Sequence, residues 1–152
     1  MSATGLDVFD TTLKTTHIWL DEIMAELKLP RPVAWHVLGG VLRTVRDRLP
    51  LGLAAHLGAQ LPLLVRGLYY EQWRPTAEES AAARTHEPFL ERVGEALATT
   101  RPIDSSQAAR AVFKVLGRHL SAGQVEKIRN ALPDDTRALW SISGAAEAIL
   151  SD

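Results

Sequence analysis

The sequence predicts an all-α protein: two pseudo-symmetric four-helix repeats packed into one compact helical domain. Three observations predict it. Apolar residues recur at spacings of three to five through most of the 152 residues. No stretch shows the strict alternation of a half-buried strand. The second half also restates the first at a nearly constant offset.

Taken in order, Leu13, Ile18, Trp19, Ile23, Met24 and Leu27 wind onto one side of a first helix from about Val8 to Leu27, which "PRP" at 30 to 32 ends. A second helix starts near Pro32. Its stripe of Ala34, Val37, Leu38, Val41, Leu42, Val45 and Leu49 leaves Arg43, Arg46 and Arg48 toward the outside. Pro50 and Pro62 suit the first turns of a third and a fourth helix, because proline lacks only an N–H that a helix start leaves unpaired. After Trp73 the composition turns polar and alanine-rich in "RPTAEESAAARTH". Residues 1–73 thus read as the first repeat, 74–86 as a connecting segment and 87–152 as the second repeat. There, Thr85, Glu87 and Pro88 supply helix-start chemistry before Phe89, Leu90, Val93 and Leu97. Asp104 with Gln107, and Ser121 with Gln124, have the spacing of capping boxes.

The duplication is visible in "WLDEIMAEL" at 19 to 27 against "FLERVGEAL" at 89 to 97, an offset of 70. One residue later in the alignment the offset is 71. Val41, Leu42, Val45, Leu49, Leu57, Leu61, Pro62, Arg66, Leu68 and Tyr69 then fall on Val112, Phe113, Leu116, Leu120, Ile128, Leu132, Pro133, Arg137, Leu139 and Trp140. Two units too small to hold a good core alone are expected to share one, giving eight helical segments.

The segments "WLDE", "LRTVRDRLP" and, most specifically, "AQLPLLVRGLYY" resemble the bacterial family known as domain of unknown function 2267 (DUF2267), over nearly the whole chain. The resemblance implies a helical, often duplicated unit, with no assigned reaction, cofactor or catalytic residue. Gln72 stands where the family pattern leads one to expect glycine. Gly39-Gly40 stands where larger helix formers are usual.

Arg66 and its counterpart Arg137 lie among core-directed leucines. A dry site would demand a partner, since breaking a buried ion pair costs about 3 to 5 kcal/mol. The matched acids Asp21 and Glu91 on the first helix of each repeat lead to two expected pairs, Arg66 with Asp21 and Arg137 with Glu91. The competing reading has the arginines binding an anion or capping a neighbouring helix C-terminus. From Leu49 to Val65 the chain carries no formal charge, whereas the matched stretch has Glu126, Lys127, Arg129, Asp134 and Asp135. The uncharged stretch is either buried between the repeats or partly exposed as an interaction patch with Leu51, Leu63, Tyr70 and Trp73.

Other chemistry is sparse. Seventeen Lys and Arg against eighteen Asp and Glu give a net charge of -1, which supplies no strong field for nucleic acid or anionic lipid. Without cysteine there is no disulfide, thiolate metal site or thiol nucleophile. His17, His36, His56, His86 and His119 lack the one-turn spacing of a helical zinc site, and no serine lies in a nucleophile elbow. Gly39-Gly40 suits a close helix crossing better than a phosphate loop. No catalytic residue, cofactor or metal is therefore expected. Pro50, His56, Gln60 and Pro62 interrupt the longest apolar stretch, and the opening "MSATGLDVFD" lacks the pattern of a secretion signal. The expectation is a cytoplasmic, non-enzymatic scaffold or protein-interaction domain that meets a protein partner or a second copy of itself. The alternative is a nucleic-acid or small-anion module using Arg31, Arg43 and Arg46, among which Asp47 is interleaved.

Overall fold

Helix α1 (Asp7–Leu27) ends where Lys28 adopts a left-handed backbone, φ 57°, and its N–H returns to the Met24 carbonyl. The next helices are α2 (Arg31–Arg48), α3 (Leu51–Gln60), α4 (Leu63–Tyr70), α5 (Phe89–Ala96), α6 (Ser105–His119) and α7 (Ala122–Ala131). Residues 134–140 form α8. This computed structural model describes residues 2–75 and 88–140. Most of the expected connecting segment, with Thr85 and Glu87, and the chain beyond Trp140 lie outside the described residues. Among the described residues the protein is all-α.

The punctuation is chemical. Pro30, Pro50, Pro62 and Pro88 each occupy the position just before a helix, in an extended conformation, one residue earlier than expected for Pro50 and Pro62. Asp104 accepts from the N–H groups of Ser106 and Gln107 at 2.9 and 3.1 Å, and Ser121 accepts from that of Gln124 at 3.3 Å. The capping residues of α6 and α7 are thus those read from the sequence.

Helices α2 and α6 pack on each other and form the centre. Helix α1 lies against both, and so does α5; α3 packs on α4 and α7. Gly39 and Gly40 allow α2 to be crossed from two sides. A Cβ on Gly39 would stand 2.8 Å from Leu68 Cδ1 of α4, and one on Gly40 would stand 3.0 Å from Leu97 Cδ2 after α5. Positions 71 apart keep similar environments. Helices α3 and α7 have limits shifted by that number, and Leu57 and Ile128, Leu61 and Leu132, and Leu68 and Leu139 are buried alike.

Two expectations about helix faces need correction. The buried side of α1 is Thr12, Thr16, Trp19, Leu20 and Ile23, while Leu13 and Ile18 are exposed. The small threonines let α1 approach its neighbours closely and turn the larger residues outward. Arg46 and Arg48 are buried, at 4% and 7% exposure, because α2 is covered on nearly all sides by α1, α4, α5 and α6.

Candidate functional site

The arginines resolve into one recurrent device. Arg66 Nε donates to the Gly58 carbonyl at 2.9 Å and Nη2 to that of Leu61 at 3.1 Å, so its guanidinium closes the C-terminus of α3. Arg137 does the same for α7, with Nε on Arg129 O at 3.1 Å and Nη2 on Leu132 O at 2.8 Å. Four carbonyls at a helix end lack intrahelical donors and carry partial negative charge, so a cation there satisfies both needs. The expected pairs Arg66 with Asp21 and Arg137 with Glu91 do not form. Asp21 pairs with Arg31 at 3.0 Å, Glu91 is exposed in the first turn of α5, and Arg137 meets Asp134 at 3.5 Å. The short Leu61-Pro62 connection keeps the carbonyls of the preceding helix within the arginine's reach, closer than any acid on helix one.

Helix α2 repeats the device on α4. Arg46 Nη1 donates to the Tyr69 and Glu71 carbonyls at 2.7 and 2.8 Å, while its Nε meets Asp47 Oδ1 at 3.0 Å. Arg43 Nη1 donates to Leu68 O and to Glu71 Oε2 at 3.3 and 3.4 Å. Of the three arginines of the alternative face, Arg31 is exposed and paired with Asp21, Arg43 is half-buried, and Arg46 is enclosed with its donors turned inward. Arg43, Arg46, Arg74 and Arg92 line a cleft of about 750 Å³ together with Asp47 and Glu95. Gln72 lines it as well, at φ 60°, in the left-handed region. That backbone explains why glycine suits this position. Gln72→Gly is expected to raise stability by up to about 1 kcal/mol, relief of strain being partly offset by chain entropy. Urea denaturation checks this, and a loss of stability would show that the glutamine side chain contributes more than its backbone costs.

Leu51 and Leu63 of the expected interaction patch are exposed, at 58% and 46%. Tyr70 and Trp73 are half-buried, and Trp73 lines a small cleft with Leu51. Their rings stack at 5.2 Å, the Tyr70 hydroxyl donates to Ala55 O at 3.2 Å, and the phenol lies over Gly58, where a Cβ would collide with it. Within the uncharged stretch both readings hold for different residues. Leu49, Ala54, Leu57, Leu61 and Val65 are core, and Leu51, Leu63 and Leu64 face outward.

The other exposed large apolar residues are Leu6, Val8, Phe9, Leu13 and Ile18. Leu6, Val8, Phe9 and Leu13 belong to the start of α1, which is tied to the start of α4 by the Leu64 N–H donating to Thr12 Oγ1 at 3.2 Å. Beside this end runs a cleft of about 570 Å³ between α1, the α3–α4 connection and the end of α6. Val8, Thr11, Thr15 and Trp19 form one wall, Gln60, Leu63 and Arg66 another, and His119 closes the far end. His119 stacks on Trp19 at 5.2 Å and is held by Glu22, which also takes Arg118 at 2.9 Å. In the sequence His119 is one of five scattered histidines. Its signal was positional, since it lies 71 residues after Arg48, whose guanidinium stands 5.5 Å above Phe89, itself the counterpart of Trp19.

At the corresponding end of the second half, acids are built in. Asp134, fully exposed, lies 3.5 Å from Arg137. Asp135 accepts from the Phe89 N–H at 3.1 Å and from the Thr136 hydroxyl at 3.1 Å. Burial pushes the Asp135 carboxyl up, but the Phe89 and Thr136 hydrogen bonds and the nearby Arg48 charge outweigh it, so its pKa lies below the ordinary value. In the first half those two positions are Leu63 and Leu64.

Among the described residues no group of three or more His, Cys, Asp and Glu could hold a metal ion, and no helix is long and apolar enough to cross a membrane. Residues 16–139 match the family described as "Uncharacterized conserved protein (DUF2267)". No curated protein matches the chain.

Proposed function

The chain belongs to the uncharacterised DUF2267 family, and from that premise we propose that it is a non-enzymatic helical interaction domain, two copies of one unit around a shared core, working through the end formed by α1 and α4. The observation that carries this reading is the placement of exposed apolar surface. Leu6, Val8, Phe9, Leu13, Leu63 and Leu64 gather at that end, and every exposed large apolar residue among the described ones precedes Val65. Concentrated apolar surface rimmed by polar residues marks an association site. The occupant is a second copy of the chain. A patch confined to one end closes when two copies pair it with itself, and such two-fold contacts are the commonest assembly of soluble proteins. A cytoplasmic setting accords with the absence of cysteine.

Light scattering across a concentration series tests the reading. The wild-type mass is expected to rise toward twice the monomer, and the double variant Phe9→Ser with Leu64→Ser to stay monomeric. A wild-type chain monomeric throughout the series would overturn self-association.

A further inference from the structure

We propose that the 570 Å³ cleft between α1, the α3–α4 connection and the end of α6 binds a carboxylate carried on an apolar body. The argument starts from the two ends of the molecule and rests on the reading of the halves as equivalent, not on self-association. In the second half acids stand at this end: Asp134, fully exposed, lies 3.5 Å from Arg137, and Asp135 accepts from the Phe89 N–H. The first half keeps the arginine and drops both acids, with Leu63 and Leu64 in their places.

Arg66 spends Nε and Nη2 on the carbonyls ending α3, and its Nη1 has no acceptor among the described residues. Trp19 adds a donor. Its indole N–H is buried without a hydrogen-bond partner, and the counterpart Phe89 has no such group. A buried donor left unpaired is unfavourable, so an acceptor that reaches it from the cleft, whose lining includes Trp19, gains what the protein itself leaves unmet. Val8, Leu61 and Leu63 supply apolar wall for the rest of the ligand. The one acid in the lining, Asp7, stands at the start of α1, twelve residues from Trp19, about 18 Å along the helix. The carboxylate therefore belongs at the Trp19 end and the apolar body between.

Such a group comes from a free small carboxylic acid or from the last residue of a peptide. The probes are N-acetyl-leucine, its amide, hexanoate and acetyl-Ala-Ala-Leu, followed through the Trp19 indole N–H resonance, assigned with Trp19→Phe. The acids are expected to bind at least about tenfold more tightly than the amide, the difference one charge-assisted hydrogen bond makes. Tighter binding of the peptide identifies a chain terminus as the source, and tighter binding of hexanoate a free acid. Leu63→Asp, which restores the arrangement of Asp134 and Arg137, is expected to weaken the acids at least about tenfold while leaving the fold intact. An amide as tight as the acid, an indole resonance that does not move, or a Leu63→Asp variant that binds normally would each overturn the proposal. The Phe9→Ser, Leu64→Ser variant is titrated in parallel. A monomeric chain that still binds the acids separates this site from self-association, and a dimer that ignores them rejects the site alone.

Discussion

Arg46→Met is expected to destabilise the protein by about 3 to 5 kcal/mol, the range found when one partner of a buried charged network is removed. The side chain is 4% exposed and donates to two backbone carbonyls, those of Tyr69 and Glu71, and to Asp47. Methionine fills similar space but leaves the buried Tyr69 carbonyl and the part-buried Glu71 carbonyl without their donor. Lysine should rescue little, because a single ammonium cannot reproduce the planar fork that spans both carbonyls and the acid. Urea denaturation measures the loss, and a cost below about 1 kcal/mol would mean that the α4 end reaches water in solution and that Arg46 is not its cap.

The second large effect is expected at Phe113→Ala. Its ring is fully buried, parallel to that of Trp140 at 4.7 Å and stacked with that of Phe89 at 6.0 Å. Removing a buried aromatic ring costs about 3 to 5 kcal/mol through lost burial and the cavity left behind. Because α6 packs on α1, α2, α5 and α7, the loss should be felt by the whole chain. Tryptophan fluorescence and far-ultraviolet circular dichroism should report one coincident transition, shifted to lower denaturant. If the variant unfolded only its second half, leaving α1 to α4 folded, the shared core would be refuted.

What the sequence revealed and what it withheld divide along a physical line. Helix limits and caps were legible because they are local: Asp104 with Gln107 and Ser121 with Gln124 act within one turn of themselves. The matched residues in the two halves were legible because equal burial leaves equal residue types, as at Leu57 and Ile128. The partners of Arg66 are not legible in the sequence because backbone carbonyls carry no sequence signature. An arginine five residues after the leucine that ends a helix can reach that helix, whatever acids lie elsewhere. The stripe of its own helix alone places Arg46 on the outside. Yet it stands four residues after Leu42 and three before Leu49, and Gly39-Gly40 beside it announced that α2 is crossed from more than one side. The open cleft itself could be seen only once Trp19, Arg66 and His119, far apart in the chain, were brought to one place.

The loss of charge between Leu49 and Val65 thus acquires a meaning. Six of its seventeen residues are buried, and near its end Leu63 and Leu64 stand where the second half has Asp134 and Asp135. On the proposed reading, the end that carries Asp134 and Asp135 in the second half is open to a ligand in the first.

A crystal structure of the protein grown with N-acetyl-leucine tests this most directly. The account predicts the carboxylate at Arg66 Nη1 and the Trp19 indole N–H, with the leucyl chain against Val8 and Leu63. An empty cleft at saturating ligand, or a ligand seated with its carboxylate turned away from Arg66, would contradict it.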